Sequence, residues 1–282
     1  MTEKTSNGMR KIEAFSIFIE FMKNLYKDRH MITTMAIREL KVRYIGSLFG
    51  IFWAVINPLS QVAIYGIVFG VFLKIKPDPV FGTDSFILYL LCGLIPWQFF
   101  SQAATSSTNV IISNRNLIKK AVGFPSEVLP IITIISYIIN HLIALVLLLI
   151  ILILFNITLT PYILLVFVYL FLMTVFTIGL SWIYASINVY MRDMQQVVGV
   201  VMTGWFFFTP IFYSASRIPP KLVPLLRLNP MFDVVEGYRY VFLAGKFPPI
   251  ENLVYLFLVS FITFGVGGII FRRLKPGFAE VL

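Results

Sequence analysis

Long apolar runs alternate with short polar segments over most of the chain, and the lengths of these runs predict its architecture. A helix that crosses the hydrocarbon core of a bilayer needs roughly 20 apolar residues. Six runs reach or approach this length: residues 48–73, 86–108, 128–155, 162–187, 197–213 and 253–271. Backbone polar groups cannot stay unpaired in lipid, so such runs form helices. The pattern therefore predicts an all-α integral membrane protein with six transmembrane helices.

The polar segment before the first run has a helical pattern of its own. Between residues 9 and 29, charged side chains fall on one side of a helix and apolar ones on the other: Ile12, Phe15, Phe18, Ile19, Met22, Leu25 and Tyr26. This spacing predicts an amphipathic helix in the membrane interface, although a soluble helix packed on a partner has the same period. We divide the chain into a cytoplasmic tail with this helix, residues 1–47, and a single six-span transmembrane domain, residues 48–282.

The stretch between the fifth and sixth runs, residues 214–250, fits neither a turn nor a span. Its apolar pieces are about 10–14 residues long, which is too short to cross a bilayer. Pro219-Pro220, Pro224 and Asn229-Pro230 interrupt it. We predict two short re-entrant helices that dip into the outer leaflet and return before the last span. The alternative is an extracellular cap that lies on the membrane.

Composition agrees with a bilayer environment. Hydrophobic residues make up 59% of the chain and charged residues 13%, with a mean hydropathy of +0.88, whereas soluble domains are typically about 25% charged. The net charge of +10 would suit nucleic acid or anionic lipid, but the basic residues flank the apolar runs, where they set topology. Placing both termini in the cytoplasm leaves more Lys and Arg inside than outside. We therefore expect a multi-pass protein with cytoplasmic termini and no nucleic-acid partner.

Residues that commonly support catalysis are scarce. The sequence has no GxxxxGK[ST] phosphate loop and no GxSxG nucleophile elbow. Its two histidines and its single cysteine, Cys92, lack metal-ligand spacing. We expect no enzyme, no metal site and no cofactor in this chain. His141, beside Asn140, is expected to make a polar contact between helices, with a proton relay as the alternative. Arg192 and Asp193 are expected to form an ion pair.

One polar segment, residues 114–125 between the second and third runs, has features suited to docking. A short helix-like stretch with exposed cations is stopped by Gly123 and Pro125, and Phe124 projects from its end. A short rigid helix at this place could transmit motion from a soluble partner into the two attached spans. A solvated connecting loop is an equally good interpretation of the same residues.

Several short pieces of sequence, found in order from Arg38 to the end, resemble the membrane subunits of polysaccharide ABC exporters, which serve O-antigen, capsule and teichoic acid export. The pieces are Arg38-Glu39-Leu40-Lys41 through Arg43-Tyr44 to Asn57-Pro58, Gly93-Leu94-Ile95-Pro96-Trp97, Asn116-Leu117-Ile118-Lys119-Lys120 with Phe124-Pro125, Arg192-Asp193, Thr209-Pro210-Ile211, Asn229-Pro230 before Arg239, and Phe271-Arg272-Arg273-Leu274 with Phe278-Ala279. No single piece is specific, but their common order makes chance similarity improbable.

The resemblance implies a half-transporter in the bacterial inner membrane. It implies a homodimer paired with two copies of a cytoplasmic ABC ATPase, which would hold the ATP and Mg that this chain does not bind. The substrate would be a glycan on an undecaprenyl pyrophosphate-type lipid, with O-antigen as the first candidate. Teichoic acid, capsule, and a small lipid or drug are the alternatives, and an intramembrane envelope-glycan enzyme or a non-transporting scaffold is a more distant one. The coupling residues would be Arg115, Asn116, Lys119, Lys120, Phe124, Pro125 and Glu127.

Two further groups of residues are candidates for substrate contact. Arg38, Lys41, Arg43 and Tyr44 precede the first run and could form a gate for the pyrophosphate headgroup, because cations beside the hydrocarbon attract anionic headgroups. The alternative is that these cations only set topology. Sugar rings stack on aromatic side chains, so a glycan channel could be lined by Tyr65, Phe69, Trp205, Phe206, Phe207, Phe208 and Tyr213. Neighbouring helix positions lie about 100° apart, so we expect about half of these rings to face a channel.

Overall fold

All regular structure in the described part of the chain is helical. The computed structural model describes residues 29–120 and 124–282; the predicted interfacial helix at 9–29 lies outside these residues apart from Arg29. The α-helices are α1 (Arg29–Tyr44), α2 (Trp53–Tyr65), α3 (Phe86–Thr108), α4 (Val110–Ser113), α5 (Arg115–Lys120), α6 (Val128–Leu154), α7 (Leu165–Tyr190), α8 (Met194–Phe208), α9 (Val223–Arg227), α10 (Pro230–Arg239), α11 (Ile250–Leu274) and α12 (Phe278–Val281). Helices α2 and α10 continue as π-helical turns, Gly66–Phe72 and Tyr240–Ala244.

Within the described residues, five helical segments are long and apolar enough to cross a membrane. They are Trp53–Phe72, Phe86–Thr108, Val128–Leu154, Pro161–Tyr190 and Ile250–Gly277. The predicted fifth span corresponds to α8, which has 15 residues. At 1.5 Å per residue α8 is about 22 Å long, less than the hydrocarbon core of about 30 Å. The all-helical membrane class is confirmed, and the count of six spans stays a prediction.

Helix α3 is the centre of the bundle. In its most apolar stretch 83% of the residues are buried, compared with 11% for the span that contains α2 and 17% for the span that contains α11. Helix α3 contacts α2, α6, α7, α8 and α10. The outer helices therefore present most of their apolar side chains to lipid or to a further protein chain.

Helices α7 and α11 approach each other backbone to backbone. A Cβ atom on Gly179 would lie 2.5 Å from the carbonyl group of Thr263. A Cβ atom on Gly267 would overlap the carbonyl oxygen of Gly179. Small residues at such a contact let helices pack closely where lipid supplies no hydrophobic driving force. The two glycines therefore set the distance between these helices.

The segment between α8 and α11 divides into two short helices, as its prolines predict. Helix α9 has five residues and is mostly exposed, whereas every residue of α10 is buried. The side chain of Asn229 accepts a hydrogen bond from the Met231 N–H and caps α10. A Cβ atom on Gly237 would overlap the ring of Tyr169 on α7. Helix α10 is thus part of the bundle interior, and a return through the outer leaflet stays a prediction.

Three charged side chains enter the bundle on α10. Asp233, Glu236 and Arg239 are all buried, and Arg239 is fully enclosed. The Arg239 guanidinium donates to Glu236 Oε1 at 3.0 Å and to the carbonyl oxygen of Ile211 at 2.7 Å, and it lies 3.4 Å from the centre of the Tyr89 ring. Arg239 therefore joins α10 to α3 and to the chain after α8.

The turn between α7 and α8 differs from expectation. Arg192 and Asp193 are both exposed and form no ion pair with each other. The backbone carbonyl of Asp193 instead accepts hydrogen bonds from the N–H groups of Gln196 and Val197. The predicted ion pair is wrong: both side chains are exposed, and backbone hydrogen bonds close the turn.

Candidate functional site

The four predicted gate residues lie on α1 and divide into two pairs. Helix α1 packs against α6 through buried Ile32 and Ala36, so its later residues pass along the start of that helix. The first pair, Arg38 and Lys41, is exposed. The second pair, Arg43 and Tyr44, is half-buried and reaches α6. This division follows from helical periodicity, which turns only one side of α1 toward the bundle.

Arg43 and Tyr44 are fixed by polar groups of α6. Arg43 donates to Ser136 Oγ at 2.9 Å, and its guanidinium carbon lies 3.8 Å from the centre of the Tyr137 ring. The Tyr44 hydroxyl donates to Asn140 Oδ1 at 3.2 Å. The Nη1 atom of Arg43 is buried and has no hydrogen-bond partner among the described residues. This guanidinium is therefore positioned while part of its donor capacity stays unused.

Glu39 is the carboxylate that accompanies Arg43. It lies 3.5 Å from Arg43 and accepts a hydrogen bond from Thr133 Oγ1 at 3.1 Å. Burial raises the pKa of Glu39 above its usual value, and the contacts with Thr133 and Arg43 offset this only in part. Glu39 is therefore the ion-pair partner of Arg43 on α1.

A polar pocket opens beside Arg43 and Tyr44. It has a volume of about 300 Å³ and lies between the end of α1, the start of α2, α3 and α6. Four amide side chains line it, and we name it the amide pocket after them: Asn57, Gln98, Gln102 and Asn140. Gln98 donates to Gln61 Oε1 of α2 at 2.9 Å, which connects α2 to α3 at the pocket wall.

Most of the predicted channel aromatics gather where α2 meets α8. We call this set the aromatic cluster: Tyr65, Phe69, Phe206, Phe207, Phe212 and Tyr213. Ring centres of Tyr65 and Phe206 are 5.7 Å apart, and Phe69 stacks on Phe212 at 4.4 Å. Phe212 also contacts the rings of Phe206, Phe207 and Tyr213. The two helices thus share one continuous aromatic surface.

Trp205 and Phe208 stand apart from the aromatic cluster. Trp205 packs against Phe100 at 5.1 Å inside the bundle, and its Nε1 donates to Asn229 Oδ1 at 2.7 Å. Phe208 is 62% exposed and points outward. Successive residues of α8 face different directions because each is rotated by about 100°. Trp205 therefore braces α8 against the start of α10.

The predicted coupling segment is only partly free to dock. Arg115, Asn116 and Lys119 of α5 are exposed, whereas Phe124 is half-buried against a second core cluster with α1 and α12. The backbone of Lys120 ends α5, and residues 121–123 lie outside the described part. Phe124 thus projects less than the sequence predicts.

The residues that follow this segment contact other parts of the same chain, including its C-terminal region. Pro125 is half-buried, and its carbonyl oxygen accepts a hydrogen bond from the Val128 N–H at the start of α6. Glu127 forms an ion pair with Lys275, and its carbonyl oxygen accepts from Trp182 Nε1 at 2.9 Å. Glu127 therefore acts within this chain, and the exposed face of α5 is the part left for a partner.

Comparison with known proteins gives the family. The family model described as "ABC-2 type transporter" matches residues 30–243, from α1 through the π-helical turn after α10. The chain belongs to this family. The ABC-2 permease is 31% identical over 264 residues to "O-antigen export system permease protein RfbA" of Myxococcus xanthus, covering 93% of this chain and 99% of that protein.

Two other relatives are similar to the ABC-2 permease over most of its length. A protein of the same name from Klebsiella pneumoniae is 30% identical over 246 residues, covering 87% of this chain and 92% of the relative. "Polysialic acid transport protein KpsM" of Escherichia coli is 25% identical over 250 residues, with coverage of 86% and 92%. The predicted resemblance to membrane subunits of ABC exporters is confirmed. Membership implies a separate ATPase partner and a place in a membrane.

The sequence did not predict several residues of the candidate site of the ABC-2 permease. Phe212, the centre of the aromatic cluster, lies in a run that the apolar pattern predicts as helix up to residue 213. The Thr209-Pro210 pair is the signal that could have corrected this, since a residue before proline disfavours helix. Gln61 and Gln98 had no such signal, because their contact joins helices that are distant in sequence. His141 was correctly predicted to bridge helices, and its Nε2 lies 2.9 Å from the Tyr238 hydroxyl.

Proposed function

We propose that the ABC-2 permease moves a lipid-linked polysaccharide, of the undecaprenyl pyrophosphate type, from the cytoplasmic side across the bacterial inner membrane. The glycan proposed first is O-antigen, because two of the compared relatives carry that function in their names. The KpsM relative is named for polysialic acid, so a capsule-type glycan is the nearest alternative.

One observation carries this proposal: a stripe of side chains along α2 that leads from the amide pocket to the aromatic cluster. Asn57, Gln61, Tyr65 and Phe69 follow one another at four-residue spacing, so each is a neighbour of the next on the helix surface. The stripe rises about 18 Å. Amides exchange hydrogen bonds with hydroxyl groups, and aromatic rings stack on the CH faces of sugars. Such a surface binds a polymer weakly at many points, so that the polymer can move along it.

A homodimer would place two such stripes around one conduit. Helix α2 is little covered within its own chain, and Val198 and Met202 are the buried residues of α8. Exposed apolar side chains on both helices are available for a second copy, among them Ile64, Ile67, Val71, Val200 and Phe207. We propose that two chains meet along α2 and α8.

The ATPase would bind at the end of the bundle that holds α1, α5 and α12. These three helices share the second core cluster, so they lie at the same end. We place this end in the cytoplasm together with both termini. Exposed Arg38 and Lys41 on α1 would attract the pyrophosphate there, and Arg115, Asn116 and Lys119 on α5 would meet one of two ATPase subunits.

A strain that lacks this chain tests the proposal when glycan synthesis and glycan export are measured separately. Polymer that accumulates inside the cell supports an exporter, whereas loss of polymer synthesis would identify an envelope-glycan enzyme and refute export.

Complementation with Phe206→Ala should lower export, because the ring lies in the aromatic cluster. Phe208→Ala is the matched control, since Phe208 lies on the same helix outside that cluster, and it should restore export. Equal export by the two variants would argue against the aromatic cluster as part of the glycan path.

A further inference from the structure

The amide pocket has the composition of a sugar site. Besides its four amides, the side chains of four Phe, Tyr and Trp residues line it: Tyr44, Trp53, Phe99 and Tyr137. Pyranose rings present hydroxyl groups at their edges and CH groups on their faces. Planar amides can both donate to and accept from hydroxyls, and aromatic rings offer apolar faces to the CH groups. Among the lining residues that the structure describes, Arg43 is the only Lys, Arg, Asp or Glu.

Arg43 is one of the residues that line the pocket, and it gives one side of the pocket a positive charge. Its side chain lines the pocket and is 25% exposed, so part of the guanidinium is accessible to an anionic group beside the pocket. A guanidinium can contact phosphate oxygens through two N–H groups at once. An isolated anion would not require four amides, and an apolar drug would leave their donors and acceptors unpaired at a cost. A sugar joined to a phosphate satisfies both parts of the site.

The pocket amides divide by their contacts. Asn140 and Gln98 are held by Tyr44 and Gln61, so they build the walls. The side chains of Asn57 and Gln102 form no hydrogen bond with any described residue, and both residues are exposed and line the pocket. Their donors and acceptors are therefore available for a ligand, and their replacement removes no internal contact.

We infer that the amide pocket binds the sugar unit attached directly to the diphosphate, with Arg43 on the phosphate and the Asn57 and Gln102 amides on the sugar hydroxyls. This inference rests on the proposed function, because it assumes a lipid-diphosphate glycan. The permease then recognises the first sugar of its substrate before the polymer reaches the aromatic cluster. The stripe on α2 begins at Asn57, so the bound sugar lies at the start of the path.

The test measures binding of short soluble analogues to the full-length permease with its ATPase partner in lipid nanodiscs. The probes are farnesyl diphosphate and farnesyl diphosphate that carries one glucose, galactose or N-acetylglucosamine. At least one sugar-bearing probe should bind about tenfold more tightly than farnesyl diphosphate. Asn57→Leu and Gln102→Leu should each weaken that probe about three- to tenfold, which corresponds to one lost hydrogen bond. Neither variant should change the affinity for farnesyl diphosphate.

Gln196→Leu is the matched control, because Gln196 is exposed on α8 and does not line the pocket; it should leave all affinities unchanged. Equal binding of farnesyl diphosphate and every sugar-bearing probe would overturn the pocket assignment and leave the proposed export function standing. The pocket assignment is also overturned if the two pocket variants behave like the control. Failure of every probe to bind would overturn the proposed substrate class and the pocket with it.

Discussion

Replacing Arg239 by methionine should destabilise the permease strongly. Methionine keeps an unbranched apolar stem but removes the charge. The change deletes the hydrogen bonds to Glu236, to the Ile211 carbonyl and to the Tyr89 carbonyl, and it leaves the Glu236 carboxylate buried without its partner. Removing one member of a buried ion pair costs about 3–5 kcal/mol. We expect a loss of unfolding free energy of this size for Arg239→Met.

The double variant Glu236→Gln with Arg239→Met separates the two causes. It removes the stranded carboxylate, so it should recover part of the loss and be more stable than Arg239→Met alone. Unfolding in a detergent-denaturant titration measures both free energies, and Arg217→Met is the control because Arg217 is exposed. The reasoning is refuted if Arg239→Met costs no more than the control, or if the double variant is less stable than the single one.

Three other substitutions test separate features. Gly179→Ala should separate α7 from α11 and lower thermal stability, while Gly265→Ala, where a Cβ meets open space, should not; equal melting temperatures would contradict the close packing. Burial acts to raise the pKa of Asp78, but hydrogen bonds from Ser214, Ser216 and the Val80 N–H hold it below its usual value. Asp78 therefore stabilises the fold above its unfolded-state pKa, and this stability is lost as the pH falls through the lower folded-state pKa. Ser214→Ala should thus move the onset of acid unfolding, followed by tryptophan fluorescence, to higher pH; an unchanged onset would show that Ser214 does not set this pKa. Arg115→Glu should weaken co-purification of the ATPase while the permease still inserts and folds, and full ATPase recovery would exclude α5 as its docking face.

The pattern of apolar and polar residues was sufficient to predict the helices. It was insufficient to predict the polar contacts between them. The runs at 86–108 and 128–155 match α3 and α6 almost to the residue, because apolar length alone defines a span. The run at 197–213 is too long because its apolar residues continue past Phe208, where the Thr209-Pro210 pair ends α8. The spacing of apolar residues indicates which positions face water, lipid or protein. It contains no information about hydrogen-bond partners in other helices.

The amide pocket and the Arg239 contacts show what periodicity lacks. The Tyr44–Asn140 bond joins residues 96 positions apart, and the Arg239–Tyr89 bond joins residues 150 positions apart. Taken alone, the charged side chains of segment 230–243 predict that the segment lies at the membrane interface, where water can hydrate them. In the fold, Arg239 pairs with Glu236 and with backbone carbonyls, which makes burial tolerable. Such compensation becomes visible only when the helices are assembled.

The backbone contact between Gly179 and Gly267 also has a consequence for motion. Helices that touch through their backbones cannot slide or rotate past each other without losing that contact. We therefore expect helices α7 and α11 to move as one rigid body in any rearrangement of the bundle. Helices α2 and α8 bury few of their own residues and have fewer contacts that would oppose a rearrangement. A movement of α2 and α8 would then widen or narrow the gap beside a fixed α7–α11 pair.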